Sequence, residues 1–230
     1  MKYKPIILVS GEPRSIFFEI FFKALKFKIY KSPLILICCK KIILEQMKKN
    51  KFKRKLNILK LDKLKKYNLN NHDLNLIDIE CKKINKNFNT KLTNQYIMNS
   101  FNVALKLLNN NFSHKLINGP INKKSFLNKK FLGMTEYISN KYKSKKTAML
   151  IYNKNLSVCP LTTHLPIKLV AKNVTRKLIE EKIKIIDIFF KKNLNYKPKI
   201  AVTGINPHCE SVLKFNEDEK IVLKAVIAQK

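Results

Sequence analysis

Short apolar runs alternate with longer amphipathic stretches at the start of the chain. Residues 5–10 and 34–39 are apolar runs of strand length, and each precedes a stretch of helical periodicity that continues to about residue 28 or 50. Strands that alternate with helices usually form parallel sheets, so the pattern predicts an α/β fold. Ser15 is predicted to be the N-cap of the first helix.

The same two patterns continue along the rest of the chain, more weakly between residues 51 and 89. Further strands are predicted over 56–61, 74–79, 148–152, 156–161 and 199–203, and another from residue 115 that runs into a Gly-Pro turn at 119–120. Further helices are predicted over 93–110, 176–192 and 217–229. Residues 148–152 and 156–161 are close enough to pair through a short turn. Thr93 and Thr135 are predicted to be helix N-caps.

The net charge of the chain is extreme, but the type and distribution of its basic residues are not typical of a protein that recognises nucleic acids. Lys plus Arg number 48 against 15 Asp plus Glu, which gives a formal charge of +33. Only three of these residues are arginine, the usual bidentate ligand of phosphates and bases, and the lysines are scattered along every predicted element. We interpret the charge as a compositional bias on an ordinary fold, with a basic nucleic-acid-binding protein as an alternative and nonspecific polyanion binding expected at low salt.

Cysteine usage and hydropathy indicate the compartment. The five cysteines form no C-x-x-C motif, and their odd number within apolar runs is typical of a reducing environment. No apolar run reaches the roughly 18 to 20 residues that a membrane span requires. A cytoplasmic protein with no membrane association is therefore predicted.

Two histidines follow predicted strands and stand next to prolines. His164 lies in Leu-Thr-Thr-His-Leu-Pro (161–166), and His208 ends Gly-Ile-Asn-Pro-His (204–208). Ligands of open α/β sheets bind beyond the carboxyl ends of strands, so the two imidazoles are candidates to share one metal ion. The alternative is that each histidine caps its own turn and bonds only the backbone. The sequence leaves both interpretations open.

Four stretches, taken together, resemble one enzyme family. They are Gly-Glu-Pro (11–13), Ile-Asn-Gly-Pro-Ile-Asn-Lys (117–123), Gly-Met-Thr-Glu (133–136) and the pair of histidine motifs. In order and spacing they resemble the 4-hydroxythreonine-4-phosphate dehydrogenases of pyridoxal phosphate biosynthesis. The resemblance implies a two-lobed α/β architecture like that of isocitrate dehydrogenase, with a mixed or parallel sheet. It places an N-terminal lobe at 1–113 and a second lobe, with the metal and dimer region, at 114–230.

The resemblance also implies an activity. Members of the family oxidise 4-phosphooxy-L-threonine with NAD to a β-keto acid, which decarboxylates to 3-amino-2-oxopropyl phosphate. They act as homodimers, with the active site in the cleft between the domains. The family's divalent metal (Zn, Mg or Co) would be bound by His164 and His208, and Thr135 would contact substrate. Such a cation assists both hydroxyl oxidation and decarboxylation, while NAD accepts the hydride.

Several positions depart from the family pattern. Met134 occupies the place of a substrate-binding histidine, and a thioether cannot donate a hydrogen bond. Ser15 and Phe17 replace two small residues of the first motif. Family members continue beyond the position of Lys230 with a third metal histidine and much of the cofactor site. We therefore expect a C-terminally truncated member or a fragment, with a noncatalytic remnant as the alternative.

Overall fold

The computed structural model describes residues 3–81, 90–127, 130–131, 133–142, 146–210, 212 and 214–229. The chain divides into two compact units, residues 1–134 and 135–230. Residues 115–118 are part of the first unit's sheet. The domain boundary at residue 114 stays a prediction, since compact units and family domains are defined differently. Among the described helices, none has the length and apolar character needed to cross a membrane.

The first unit contains a five-stranded parallel sheet, which confirms the α/β prediction. In chain order the strands are β1 (Ile6–Val9), β2 (Leu34–Cys38), β3 (Leu56–Ile58), β4 (Leu74–Asp78) and β5 (Lys115–Asn118). They lie in the spatial order β3-β4-β2-β1-β5, with Ile7 opposite Ile35 and Leu116. The central strands β1 and β2 are almost entirely buried, as their continuous apolar runs require.

Helices cover both faces of this sheet. They are α1 (Phe17–Phe27), α2 (Lys40–Lys49), α3 (Thr90–Asn109) and α4 (Lys123–Leu127), with a 3-10 segment at Leu61–Lys66. The connections through α1 and α2 cross the sheet in one direction, and the connection through α3 crosses it in the other. Because such crossovers are right-handed, α3 lies on the face opposite α1 and α2. Accordingly α1 packs with α2, whereas α3 packs on β1 and β2 and contacts α4.

All three predicted N-caps are wrong. Helix α1 begins at Phe17, because the backbone N–H of Ser15 donates to the Glu12 carbonyl and holds Ser15 in the preceding turn. Helix α3 begins at Thr90, so Thr93 lies inside its first turn, where no Gly or Pro interrupts the helix. Helix α5 (Met134–Lys141) begins directly after Gly133, which places Thr135 inside it as well.

The second unit is built mainly from helices. After α5 come α6 (Ile167–Asn173), α7 (Arg176–Leu194), a π-helical segment (Asp218–Leu223) and α8 (Lys224–Ile227). Thr175 caps α7 by accepting from the Leu178 N–H at 3.2 Å. The helices meet around a small core of Val174, Ile179, Val222 and Ala225. The helix predicted over 217–229 is thus present, but its first half is π-helical.

The strands predicted in the second unit are not formed as expected. Residues 148–152 and 156–161 meet only in an isolated antiparallel bridge between Ile151 and Val158, and 199–203 is not a strand. Ile151 and Leu156 are 62% and 75% exposed. Strands require several hydrogen-bonded neighbours and a covered apolar face, and the described part of this unit supplies only the one bridge and leaves the apolar side chains exposed.

Candidate functional site

Two glycine turns are pressed together at the carboxyl ends of β1 and β5. Gly11 has φ +72°, and a Cβ on it would lie 2.3 Å from the Pro120 carbonyl oxygen. A Cβ on Gly119 would lie 2.1 Å from the Ser10 carbonyl oxygen. Real Cβ atoms do not approach backbone that closely, so both turns require glycine.

Hydrogen bonds lock the two turns to each other. The Glu12 N–H donates to the Pro120 carbonyl at 2.9 Å. The Asn122 N–H donates to Oε1 of Glu12 at 2.8 Å, and Oδ1 of Asn122 accepts from the Ser125 N–H at 3.2 Å. The motifs at 11–13 and 117–123, which are far apart in sequence, therefore form one rigid structure.

A crevice of about 280 Å³ opens beside these turns. It is lined by Glu12, Pro13, Arg14, Thr90, Thr93, Asn94, Asn122 and Ser125. From β1 the chain passes to α1 on one face of the sheet, and from β5 it passes to α4 on the other. Ligands of open α/β sheets bind where the chain leaves two neighbouring strands toward opposite faces of the sheet. Hydroxyls, amides and one guanidinium suit a ligand rich in hydroxyl or phosphate oxygens.

The aromatic departure at position 17 is absorbed by the core. Phe17 is buried, and its Cδ2 would lie 2.9 Å from a Cβ on Gly119. Its ring also stacks on Phe21 at 5.6 Å. Phe17 therefore fills space beneath the turn and does not line the crevice.

In the second unit, two of the motifs touch. The Thr163 hydroxyl donates to Oε1 of Glu136 at 3.3 Å, which joins the Gly-Met-Thr-Glu motif to the turn that carries His164. Met134 and Thr135 are half-buried in the first turn of α5. His164 itself is exposed and has φ +58°, an uncommon conformation for a residue with a side chain.

The turn that carries His208 is held by a residue that the sequence did not reveal. Oδ1 of Asp218 accepts from the Ile205 N–H at 2.7 Å, and Oδ2 accepts from the Asn206 N–H at 3.1 Å. Oδ1 of Asn206 accepts from the His208 N–H at 3.1 Å. The only signal in the sequence is an aspartate in the first turn of the helix predicted over 217–229. Its partners lie 12 and 13 residues earlier, too far for local patterns to show.

His164 and His208 are both exposed, and within the described residues neither imidazole has a hydrogen-bond partner. Two free imidazoles are the donor type that divalent transition metals accept. The described part of the chain contains no group of three or more His, Cys, Asp and Glu side chains around a common point. The described residues therefore contain no complete set of ligands for a metal ion, and the metal role of His164 and His208 stays a prediction.

A second cavity, of about 470 Å³, lies at the carboxyl end of β4. Tyr96 lines it; its hydroxyl lies 3.1 Å from the Ser10 hydroxyl and accepts from the Cys39 N–H at 3.2 Å. Burial raises the pKa of Tyr96, and it raises the pKa of Cys81 to about 11. Burial therefore favours the protonated form of both groups.

Known proteins match this chain in sequence. The family described as pyridoxal phosphate biosynthetic protein PdxA matches residues 31–230. The 4-hydroxythreonine-4-phosphate dehydrogenase of Sulfurihydrogenibium sp. is 36% identical over 111 residues, 46% of this chain and 34% of that protein. The enzyme of that name from Wigglesworthia glossinidia brevipalpis is 29% identical over 99% of this chain and 69% of its own length.

The fold matches as well. The crystal structure of 4-hydroxythreonine-4-phosphate dehydrogenase from Klebsiella pneumoniae superposes with a TM-score of 0.81 at 24% identity. The match covers 98% of this chain and 71% of that one. This confirms the isocitrate-dehydrogenase-like architecture. Alignments with the first curated relatives span about a third of their length. With its sequence matched over 200 residues and its fold in agreement, the chain belongs to the PdxA family of pyridoxal phosphate biosynthesis, a family of dehydrogenases.

Proposed function

We propose that this chain forms part of an NAD-dependent dehydrogenase that oxidises 4-phosphooxy-L-threonine. The product is a β-keto acid, which loses carbon dioxide to give 3-amino-2-oxopropyl phosphate. The observation that carries the proposal is the hydrogen bond between Thr163 and Glu136. It joins the substrate motif of the family to the turn that carries a metal-ligand histidine, as a shared site requires.

Each motif has a separate task in this proposal. Thr135, half-buried at the start of α5, donates a hydrogen bond from its hydroxyl to an oxygen of the substrate. His164 and His208 would bind a divalent metal ion through neutral imidazoles. When bound, the metal supplies Lewis acidity for the oxidation and the decarboxylation, and NAD accepts the hydride.

The crevice of the first unit is the proposed contact for the cofactor. It lies where the chain leaves β1 and β5 toward opposite faces of the sheet, and dinucleotides bind at such points in open sheets. Thr90, Thr93 and Asn94 present hydroxyl and amide groups that suit ribose and phosphate oxygens. The Glu12 carboxylate already accepts from Asn122, so its task is to hold the turns that form the crevice.

Met134 is expected to weaken substrate binding relative to enzymes that have a histidine there. A thioether offers no N–H to a phosphate or carboxylate, and a hydrogen bond to a charged group contributes about 1.5 to 3 kcal/mol. We propose that Met134→His lowers KM for the phosphorylated substrate about tenfold or more, with a smaller effect on kcat.

Assembly and compartment follow from the family in the same way. We propose a homodimer by resemblance to the family. We also propose a cytoplasmic location, which is supported by cysteines that are unpaired throughout the described residues. Sedimentation of the purified protein tests the first, and fractionation of cells tests the second.

The activity is tested by NADH formation from 4-phosphooxy-L-threonine with added divalent metal, using the protein as its own gene produces it. His164→Ala and His208→Ala are expected to abolish metal-dependent turnover while leaving circular dichroism unchanged. His72→Ala is the matched control, since His72 is a loop residue away from the motifs. Full activity in either site variant would overturn the metal assignment. No turnover by the parent protein would favour a noncatalytic family member.

A further inference from the structure

Asp218 is a buried carboxylate whose bonds all point at one turn. The residue is 7% exposed, although aspartate is rarely buried without a partner. Its side chain takes part in none of the ion pairs within the described residues. Both of its oxygens instead accept backbone N–H groups, from Ile205 at 2.7 Å and from Asn206 at 3.1 Å.

We propose that Asp218 is a positioning residue for His208, an inference that rests on the proposed role of His208 as a metal ligand. By binding two consecutive N–H groups, the carboxylate fixes the backbone at the start of the turn. Asn206 transmits this order, because its Oδ1 accepts from the His208 N–H and its carbonyl accepts from the Cys209 N–H at 2.9 Å. The orientation of the His208 backbone thus depends on a side chain ten residues further along the chain.

The surrounding packing gives the carboxylate little freedom. A Cβ on Gly204 would lie 3.2 Å from Oδ1 of Asp218 and 2.4 Å from Sγ of Cys209, so the turn folds closely over the acid. The backbone N–H of Asp218 is itself held by Oδ1 of Asn216 at 3.0 Å. Asp218 is therefore held at its backbone by Asn216, just before the helix, and at its side chain by the turn.

Two substitutions separate the carboxylate's role from that of side-chain volume. Asp218→Asn keeps the size but turns an amide NH₂ toward one of the two N–H donors, so only one bond survives. Asp218→Glu keeps both acceptor oxygens and adds one methylene, so it is expected to restore part of the function. Asp187→Asn is the matched control, because Asp187 pairs with Lys191 at 2.6 Å on α7.

The test is calorimetric titration of the metal-free full chain with Co²⁺, combined with amide hydrogen exchange at residues 205 and 206. Loss of a residue that orients a metal ligand typically lowers metal affinity by 10- to 100-fold. Asp218→Asn is expected to weaken Co²⁺ binding about tenfold and to speed exchange at both amides. Asp218→Glu should lie in between, and Asp187→Asn should match the parent.

The outcomes distinguish this inference from the proposed function. If His208→Ala binds Co²⁺ as the parent does, the metal role of His208 fails. If His208→Ala loses binding but Asp218→Asn keeps it despite faster exchange, the positioning role fails alone. Should Asp218→Asn not fold, Asp218→Glu carries the test, and faster exchange with unchanged Co²⁺ affinity overturns the inference.

Discussion

Gly119→Ala is expected to destabilise the first unit through a backbone clash that no side-chain rotation relieves. The new Cβ would lie 2.1 Å from the Ser10 carbonyl oxygen and 2.8 Å from its carbon. Ordinary contacts between non-bonded carbons begin near 3.5 Å, so the turns after β1 and β5 must separate by about 1 Å. That movement strains two backbone hydrogen bonds. One joins the Gly119 N–H to the Val9 carbonyl at 2.8 Å, and the other joins the Glu12 N–H to the Pro120 carbonyl at 2.9 Å.

The magnitude follows from these two contributions. Overpacking typically costs about 1 to 3 kcal/mol, and each weakened hydrogen bond adds about 0.5 to 1.5 kcal/mol. We expect the free energy of unfolding to fall by about 3 kcal/mol. With a urea m-value near 2 kcal/mol/M, the midpoint should fall by about 1.5 M.

The assay is urea unfolding followed by circular dichroism, with hydrogen exchange of β1 peptides to assign the transition to the first unit. Asn102→Ala is the control, because Asn102 is an exposed residue of α3 in the same unit. Its effect should stay within about 0.5 kcal/mol. If Gly119→Ala lowers the midpoint no more than Asn102→Ala does, the proposed contact between the two turns is refuted.

Two further predictions concern other parts of the chain. Asn71→Ala should lower the free energy of unfolding by about 2 kcal/mol, because the side-chain amide of Asn71 accepts from the Leu34 N–H and donates to the Tyr30 and Ser32 carbonyls. If urea unfolding gives Asn71→Ala the same midpoint as the exposed-site control Asn102→Ala, the prediction is contradicted. Iodoacetamide at pH 7.5 should label exposed Cys209 before Cys81, because burial raises the pKa of Cys81 to about 11 and keeps it as the unreactive thiol. Labelling of Cys81 should become faster as the pH rises toward that value. Equal labelling rates for the two cysteines at pH 7.5 would refute the burial argument.

The local elements of the first unit were largely predictable from the chain itself. Strands β1 and β2 are apolar runs that a parallel sheet buries on both faces, and β4 was predicted from its alternating residues. The spacing of apolar residues between β1 and β2 is typical of an amphipathic helix. The motifs around His164 and His208 were equally visible, since residue type and spacing are properties of the sequence. The first residues of the helices could not be predicted in the same way. The turn at Ser15, for example, is set by a backbone hydrogen bond to the Glu12 carbonyl and not by cap propensity.

Tertiary structure alone decided which motifs meet. The order β3-β4-β2-β1-β5 sets the turns after β1 and β5 side by side, and this placement creates the crevice. The link from Asp218 to the His208 turn and the link from Thr163 to Glu136 likewise join residues 10 or more positions apart. Hydrophobic periodicity acts over a few residues, so it indicated the strands and helices of the first unit, where neighbouring elements bury them. Hydrogen bonds between distant residues form only once those elements pack, and in this protein they determine the site.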